Sequence, residues 1–454
     1  MNSSHRAVAF TGSRQGQHPC TWGQLDMWRE MEWAGDPAHG NVVGGGFLGP
    51  GHTTDQVLRH VRDLIERHES LRTLFRPSPD GRLVQQILDT GVLDVELCEL
   101  AGDPAVVARD WAMAFQSEPY DLAGGLPFRV RIGVAEGEPR VVMFGTPHVA
   151  ADFLSSRVLF EDLVRGLDGR PPLAPAGIQP AEKAREEQSE AGQRILRRSL
   201  DHWRRVVEGG PTSCFGAPRL VPASPRYQTG VLKSRTVPPA LDVLAARYRV
   251  GTSAVLLGAM ATLIGRNTGR TQCLVKMVVG NRGRPDLRNA VGTFSQEVPT
   301  VLDLTAGRFG EMVRAAWSAS LHAMRHGQYD PDLAAAIVAE AGVALDVYFN
   351  DMWAATRNGR GARGYDGAAP QTGEATFEWG EPLDRASVAF YFEALEVVED
   401  PEAISLNLLT DTAHIPPPEI RRLLFAVEEL LVVLVADDGP KLDEIELRNE
   451  PAAG

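Results

Sequence analysis

Between residues 168 and 192 the chain loses its apolar pattern, and this break constrains the fold more than any other feature. DGRPPLAPAGIQP is rich in proline and glycine, while AEKAREEQSEAG is charged, polar and almost free of large apolar side chains. A stretch of that kind has little to bury and interrupts regular structure, so it reads as a linker, placed at 171–192. It divides the 454 residues into an N-terminal part, 15–170, and a C-terminal part, 193–440. Each is large enough for its own core at roughly 150 residues per domain.

Both parts mix strands with helices, an α+β pattern. In the first, NVVGGGFLG reads as a strand, and Thr53, Thr54 and Asp55 as the cap of a helix with Val57, Leu58, Val61, Leu64 and Ile65 on one face. FRVRIGV (128–134) and RVVMFGT (140–146) are strands by their Val, Ile and Phe content, and Leu154, Val158, Leu159, Leu163 and Val164 mark the helix that follows. In the second part, helices are expected at 195–207, 238–266, 307–325 and 417–436. Strands are expected near 272–279, 297–303, 376–380, 387–395 and 403–410. The Gly/Arg-rich segment 357–373 reads as a surface loop. The glycines at 44–51 lack both the G-x-G-x-x-G spacing and a Gly-Lys-Ser/Thr ending, which argues against a nucleotide-binding loop.

Composition narrows the function classes. With 43% hydrophobic and 23% charged residues the chain is globular, and 46 basic against 59 acidic residues give a net charge of −13. No basic block interrupts that balance, so neither nucleic acid nor an anionic membrane is an expected partner. The longest apolar run, 430–436, is flanked by Glu429 and Asp437 and is far too short to span a bilayer. The N-terminus has no secretory pattern, and Cys20, Cys98, Cys214 and Cys273 are scattered without a C-x-x-C pair. A reduced, cytoplasmic protein with no metal site is the expectation.

The chemistry-bearing segment is Pro147-His148-Val149-Ala150-Ala151-Asp152-Phe153, where strand 140–146 runs into a helix. A histidine at the end of a strand is open to substrate, and imidazole titrates near neutrality, so His148 can take a proton from an amine or hydroxyl. Asp152, at the helix start, is suited to capping or to pairing with a cation that pins the loop. H-x-x-x-D alone occurs in many proteins, and a single histidine beside a strand is more often structural than catalytic.

Other segments supply the context. Thr21-Trp22-Gly23-Gln24-Leu25-Asp26-Met27-Trp28, the run Arg67-His68-Glu69-Ser70-Leu71-Arg72-Thr73-Leu74-Phe75, Pro119-Tyr120-Asp121-Leu122 with Pro127-Phe128-Arg129, and Asn281-Arg282-Gly283-Arg284-Pro285-Asp286-Leu287 with Val291-Gly292-Thr293-Phe294 follow in order. In this set and order the sequence resembles the condensation domains of nonribosomal peptide synthetases, of the chloramphenicol acetyltransferase-like superfamily. The resemblance spans about residues 20–436.

It implies two acetyltransferase-like lobes in a V, with the active site in a central tunnel. It also implies a reaction: an acyl thioester on the phosphopantetheine of a carrier protein is attacked by an amine or alcohol, giving an amide or ester. Partners would be carrier proteins and a small or carrier-bound nucleophile, acting with a free-standing, monomeric enzyme that binds no cofactor. His148 corresponds to the catalytic histidine of the family motif His-His-x-x-x-Asp-Gly, and Asp152 would pair with Arg282. Two positions depart from that motif: Pro147 replaces the first histidine and Phe153 the closing glycine. Both would line the tunnel with Ser155 and Gln296, and Phe153 would favour a small or free acceptor. His68 and Trp28 read as packing residues; His322, His326 and Tyr329 could face the tunnel but read first as surface residues. Two further readings stand beside the enzyme: a catalytically silent platform recruiting a tailoring enzyme, supported by Pro147 and Phe153, and an acyltransferase using coenzyme A thioesters.

Overall fold

The computed structural model of the chain describes residues 3–79, 81–174, 177–357, 375–397, 399–437 and 441–445. Two compact units emerge. The first comprises 1–197 together with two excursions from the later sequence, 280–296 and 328–331; the second comprises the remainder.

The first unit is built on a five-stranded sheet in the order Ser3–Thr11, Thr90–Glu99, Arg129–Ala135, Glu138–Thr146, Val42–Phe47. Its pairs are antiparallel except Thr90–Glu99 with Arg129–Ala135. The helices Thr54–Arg67 and Phe153–Leu167 lie on one face, sealing Val57, Val61, Ile65, Ile132, Val142, Phe144, Leu159 and Leu163 in one core. Thr53 and Gln56 form a reciprocal capping box at the first helix. The glycine cluster has a packing cause. A Cβ on Gly44 would stand 2.8 Å from Ser156 Cβ, and one on Gly46 2.7 Å from the Phe160 ring, so the strand Val42–Phe47 must be bare where the helix Phe153–Leu167 crosses it. Helix Pro104–Ser117 covers part of the other face through Val107, Trp111 and Phe115.

The second unit carries a seven-stranded sheet in the order Gln296–Asp303, Gln272–Val279, Val347–Asp351, Phe390–Glu396, Ile404–Asp411, Tyr227–Ser234, Thr376–Trp379. The helix expected over 238–266 is two, Val237–Tyr248 and Thr252–Thr268, bent by 101°. Arg249 adopts φ +58°, a left-handed helix stop, and Gly251 caps the next helix. Both helices bury apolar side chains on most of their surface, so periodicity runs on across the break. Among the described residues no single helix is long and apolar enough to cross a membrane. All four cysteines are free and buried. The loop expected at 357–373 lies, beyond residue 357, outside the described residues.

The stretch read as a linker is partly a packed helix, Pro180–Gln188, followed directly by helix Glu190–Gly209. It buries Ala181, Lys183, Ala184 and Glu187, a face made of alanines and a paired charge rather than large apolar groups. Lys183 Nζ lies 3.4 Å from Glu187 Oε1 and donates to Gln328 Oε1 at 2.7 Å, while Trp22 N donates to Glu187 Oε2 at 2.9 Å. Burial pushes the Glu187 carboxyl up to about 7 against the pull of Lys183. A raised native value means the folded state holds the proton more tightly, so stability falls as pH rises from about 4.5 to 7. Glu187→Gln cannot ionise, so its stability relative to wild type is expected to improve across that window by on the order of 2 kcal/mol. Urea denaturation at pH 5 and pH 8 measures this, and a constant difference at both would count against it.

Candidate functional site

The strand Glu138–Thr146 ends at Pro147, which has no N–H to extend the ladder. A turn follows, with Ala150 N donating to Pro147 O at 2.9 Å, and Asp152 then caps helix Phe153–Leu167 by accepting from Ser155 N at 2.9 Å. This turn is fixed on several sides. Ser70 Oγ donates to Ala150 O, Thr293 Oγ1 donates to His148 O, and Asp152 N donates to Gly292 O at 3.2 Å. Val149 and Ala150 are fully buried, in a cluster with Cys20, Met31 and Phe75 against which Trp28 packs.

Asp152, 3% exposed, is saturated. Its Oδ1 accepts from Arg282 Nη2 at 2.7 Å and lies 2.8 Å from Ser155 Oγ, while Oδ2 accepts from Phe294 N at 3.3 Å. Arg282 Nη1 donates to Leu287 O and Ala290 O at 2.9 and 2.6 Å, and its guanidinium lies over the Phe294 ring at 5.2 Å. Ser155 Oγ accepts from Arg282 Nη2 at 2.9 Å and from Gly292 N at 3.1 Å. The structure therefore joins Asp152, Ser155 and Arg282 in one buried array that binds segment 280–296 to the motif turn.

His148 stands apart from this array. Its half-buried ring packs beside Gly40, where a Cβ would sit 3.7 Å from His148 Cβ and Cδ2; Gly40 has φ +70°. Among the described residues its buried Nδ1 has no hydrogen-bond partner. The ring is held by packing, with polar capacity unspent. Phe153 is half-buried at the first turn of the helix, and Pro147 is buried.

Gln296 is 3% exposed and its amide is tied to Tyr329: Nε2 donates to Tyr329 O at 2.9 Å, and Tyr329 N donates to Oε1 at 3.3 Å. Tyr329 Oη donates to Asp26 Oδ2 at 3.0 Å. Tyr329 is thus buried, not a surface residue. In the second unit His322 is exposed, and His326 stacks on His202 with centroids 4.3 Å apart. His68 is buried beside Asp162, 3.3 Å away, where burial holds its pKa below the usual histidine value despite that carboxylate.

Two residues that matter here were not singled out from sequence, Ser70 and Thr293. Each occupies a variable position inside a recognised motif, and each hydrogen-bonds a carbonyl of the turn. Gly23 has a related part: a Cβ there would come within 2.5 Å of Thr293 O, so the 21–28 segment needs glycine to let 293 approach.

Residues 23–341 match the family model of the Condensation domain. Phosphinothricin tripeptide synthetase PhsB of Streptomyces viridochromogenes is 33% identical over 282 residues, 58% of this chain and 23% of the synthetase, so the chain spans less than a quarter of that relative. Among solved structures, the first condensation domain of the calcium-dependent antibiotic synthetase, in complex with a substrate analogue, aligns with TM-score 0.70 at 18% identity, covering 96% of this chain and 100% of that one. The complex of the X-domain and OxyB from teicoplanin biosynthesis aligns with TM-score 0.64 at 20% identity, covering 96% and 97%. These likenesses show the fold, two lobes of the chloramphenicol acetyltransferase-like type. The family match over most of the sequence, joined to that architecture, places this chain among the condensation domains of the nonribosomal peptide synthetase family.

Proposed function

We propose that the chain joins an acyl or aminoacyl group, held as a thioester on a carrier protein's phosphopantetheine arm, to an amine or alcohol. The observation that carries this reading is the contrast at the motif: Asp152 is consumed by structural bonds, while His148 Nδ1 has none among the described residues. With an amine acceptor, nitrogen attacks the thioester carbon, the C–N bond forms as the C–S bond breaks, and His148 accepts the amine proton. The thiol leaves with a proton returned by the same imidazole. Thioesters are already reactive, so alignment of the two substrates supplies much of the rate. The direct test follows acyl transfer from a loaded carrier protein to a pool of amines, in wild type and in His148→Ala.

Phe153 is the proposed determinant of acceptor size. Its ring stands where the family motif has glycine, half-buried beside the motif turn. Phe153→Gly is expected to shift the ratio of rates, carrier-tethered over free small amine, by about tenfold toward the tethered acceptor. An unchanged ratio in competition assays would refute this role.

A second reading has specific support in Pro147 and Phe153, the two departures from the motif, together with a fold shared with the X-domain that is found in complex with OxyB. The chain would then be a platform that binds carrier and tailoring enzyme without transfer. Tight carrier binding with no transfer in wild type is the outcome that selects it.

A further inference from the structure

On the seven-stranded sheet, Phe349, Phe390, Phe392 and Leu408 are buried, and the last three line a cavity with Met260 and Ile264 of helix Thr252–Thr268 and Val427 of helix Pro417–Ala436. The alternate positions, on the opposite face, are polar. Lys276, Tyr348, Asn350, Tyr391, Glu393 and Asn407 run across four neighbouring strands, all half-buried. The register pairs Tyr348 with Tyr391, Asn350 with Glu393, and Glu393 with Asn407, so they form one contiguous array.

One half of this array displays the chemistry it favours. The Lys276 ammonium lies 2.5 Å from Glu297 Oε2, donates to Tyr348 Oη and stands 4.4 Å from the centroid of the Tyr348 ring. A carboxylate and an aromatic ring together hold an alkylammonium. The neighbouring strand repeats the set: Glu393 two residues from Tyr391, whose ring meets Tyr348 edge-on with centroids 6.1 Å apart. Here the donors are neutral. Asn350 Nδ2 reaches Glu393 Oε1 at 3.2 Å and Tyr391 Oη at 3.1 Å, and Tyr391 Oη donates to Glu393 Oε1 at 3.2 Å. Ser405 Oγ donates to Asn407 Oδ1 at 2.8 Å, turning the Asn407 amide nitrogen toward Glu393. No Lys or Arg among the described residues forms an ion pair with Glu393. Burial holds its carboxyl above the usual range, against the hydrogen bonds from Tyr391, Asn407 and Asn350. A half-buried carboxylate oriented by neutral groups is paired most favourably by a cation from outside.

We infer that Glu393 and Tyr391 form a binding site for a primary alkylammonium group of a ligand. The site rests on the proposed acyl transfer only in taking that ligand for a substrate, one with a basic group besides its reacting nucleophile. Titration calorimetry with 1,4-diaminobutane against its uncharged counterpart 1,4-butanediol tests the site without catalysis. Wild type is expected to bind the diamine at least about tenfold more tightly than the diol. Glu393→Gln should reduce that preference to within about twofold. Asn350→Lys, which supplies an ammonium from the chain itself, should do the same, and it decides the matter if thermal unfolding shows Glu393→Gln to be misfolded. His148→Ala should keep the preference whole, so failure of the acyl-transfer reading leaves this result standing. Equal binding of diamine and diol by wild type, or an undiminished preference in folded Glu393→Gln, would overturn the inference.

Discussion

Asp152→Ala is expected to lower the stability of the first unit by about 3–5 kcal/mol, because it leaves the Arg282 guanidinium buried without its carboxylate. The Arg282 and Asp152 side chains are 8% and 4% exposed, so water cannot replace the lost partner. The same change removes the cap of helix Phe153–Leu167, which adds about 1 kcal/mol to the expected loss. Asp152→Asn keeps an acceptor for Ser155 N and Arg282 but gives up the charge, and is expected to cost about 2 kcal/mol.

The pair is best tested as a cycle. Arg282 donates to Leu287 O and Ala290 O as well as to Asp152, so its removal also loosens the 285–290 turn. The double variant should nevertheless lose less than the two singles together, by roughly 1–3 kcal/mol, since no charge is then stranded. Lysine cannot substitute, because one ammonium does not match the planar fork that reaches two carbonyls and a carboxylate. Urea denaturation followed by fluorescence of the first unit's tryptophans measures each step. A soluble Asp152→Ala protein with wild-type stability but no activity would reverse the assignment, making the carboxylate a participant in the reaction.

Legibility in the sequence followed the kind of force involved. Helices and strands with large apolar side chains on one face, such as Thr54–Arg67 and Glu138–Thr146, lie close to where periodicity sets them. Helix Pro180–Gln188 escaped because its buried face is two alanines and the Lys183–Glu187 pair, which carry no hydrophobic signal. The break at Arg249 escaped for the opposite reason, since apolar residues continue through it on nearly every side. At the site, Asp152 and Arg282 stand 130 positions apart, so no local spacing relates them; the ordered motifs of a resembling family do. The Gln296–Tyr329–Asp26 contacts depend on the excursion 328–331 returning to the first unit, a tertiary event with no local pattern.

His148→Ala is expected to reduce acyl transfer by about 10²–10⁴-fold, the range for loss of a positioned general base, while leaving thermal unfolding within about 1 °C of wild type. The asymmetry with Asp152 follows from the bonds each makes. Among the described residues His148 Nδ1 has no hydrogen-bond partner, so truncating the ring strands no polar group, and the turn stays pinned through the backbone by Ser70 and Thr293. Residual transfer should persist, because aligning thioester and nucleophile needs no imidazole. It should rise with the nucleophilicity of the free-base acceptor, since a stronger nucleophile attacks the thioester before its proton has to be removed and so depends least on His148. Replacement by Gln, which keeps volume and polarity without a titratable nitrogen, should be as inactive as Ala. Carrier binding measured in parallel should match wild type in both variants. Transfer at the wild-type rate in folded His148→Ala would remove the imidazole from the reaction and leave positioning as the whole of the catalysis.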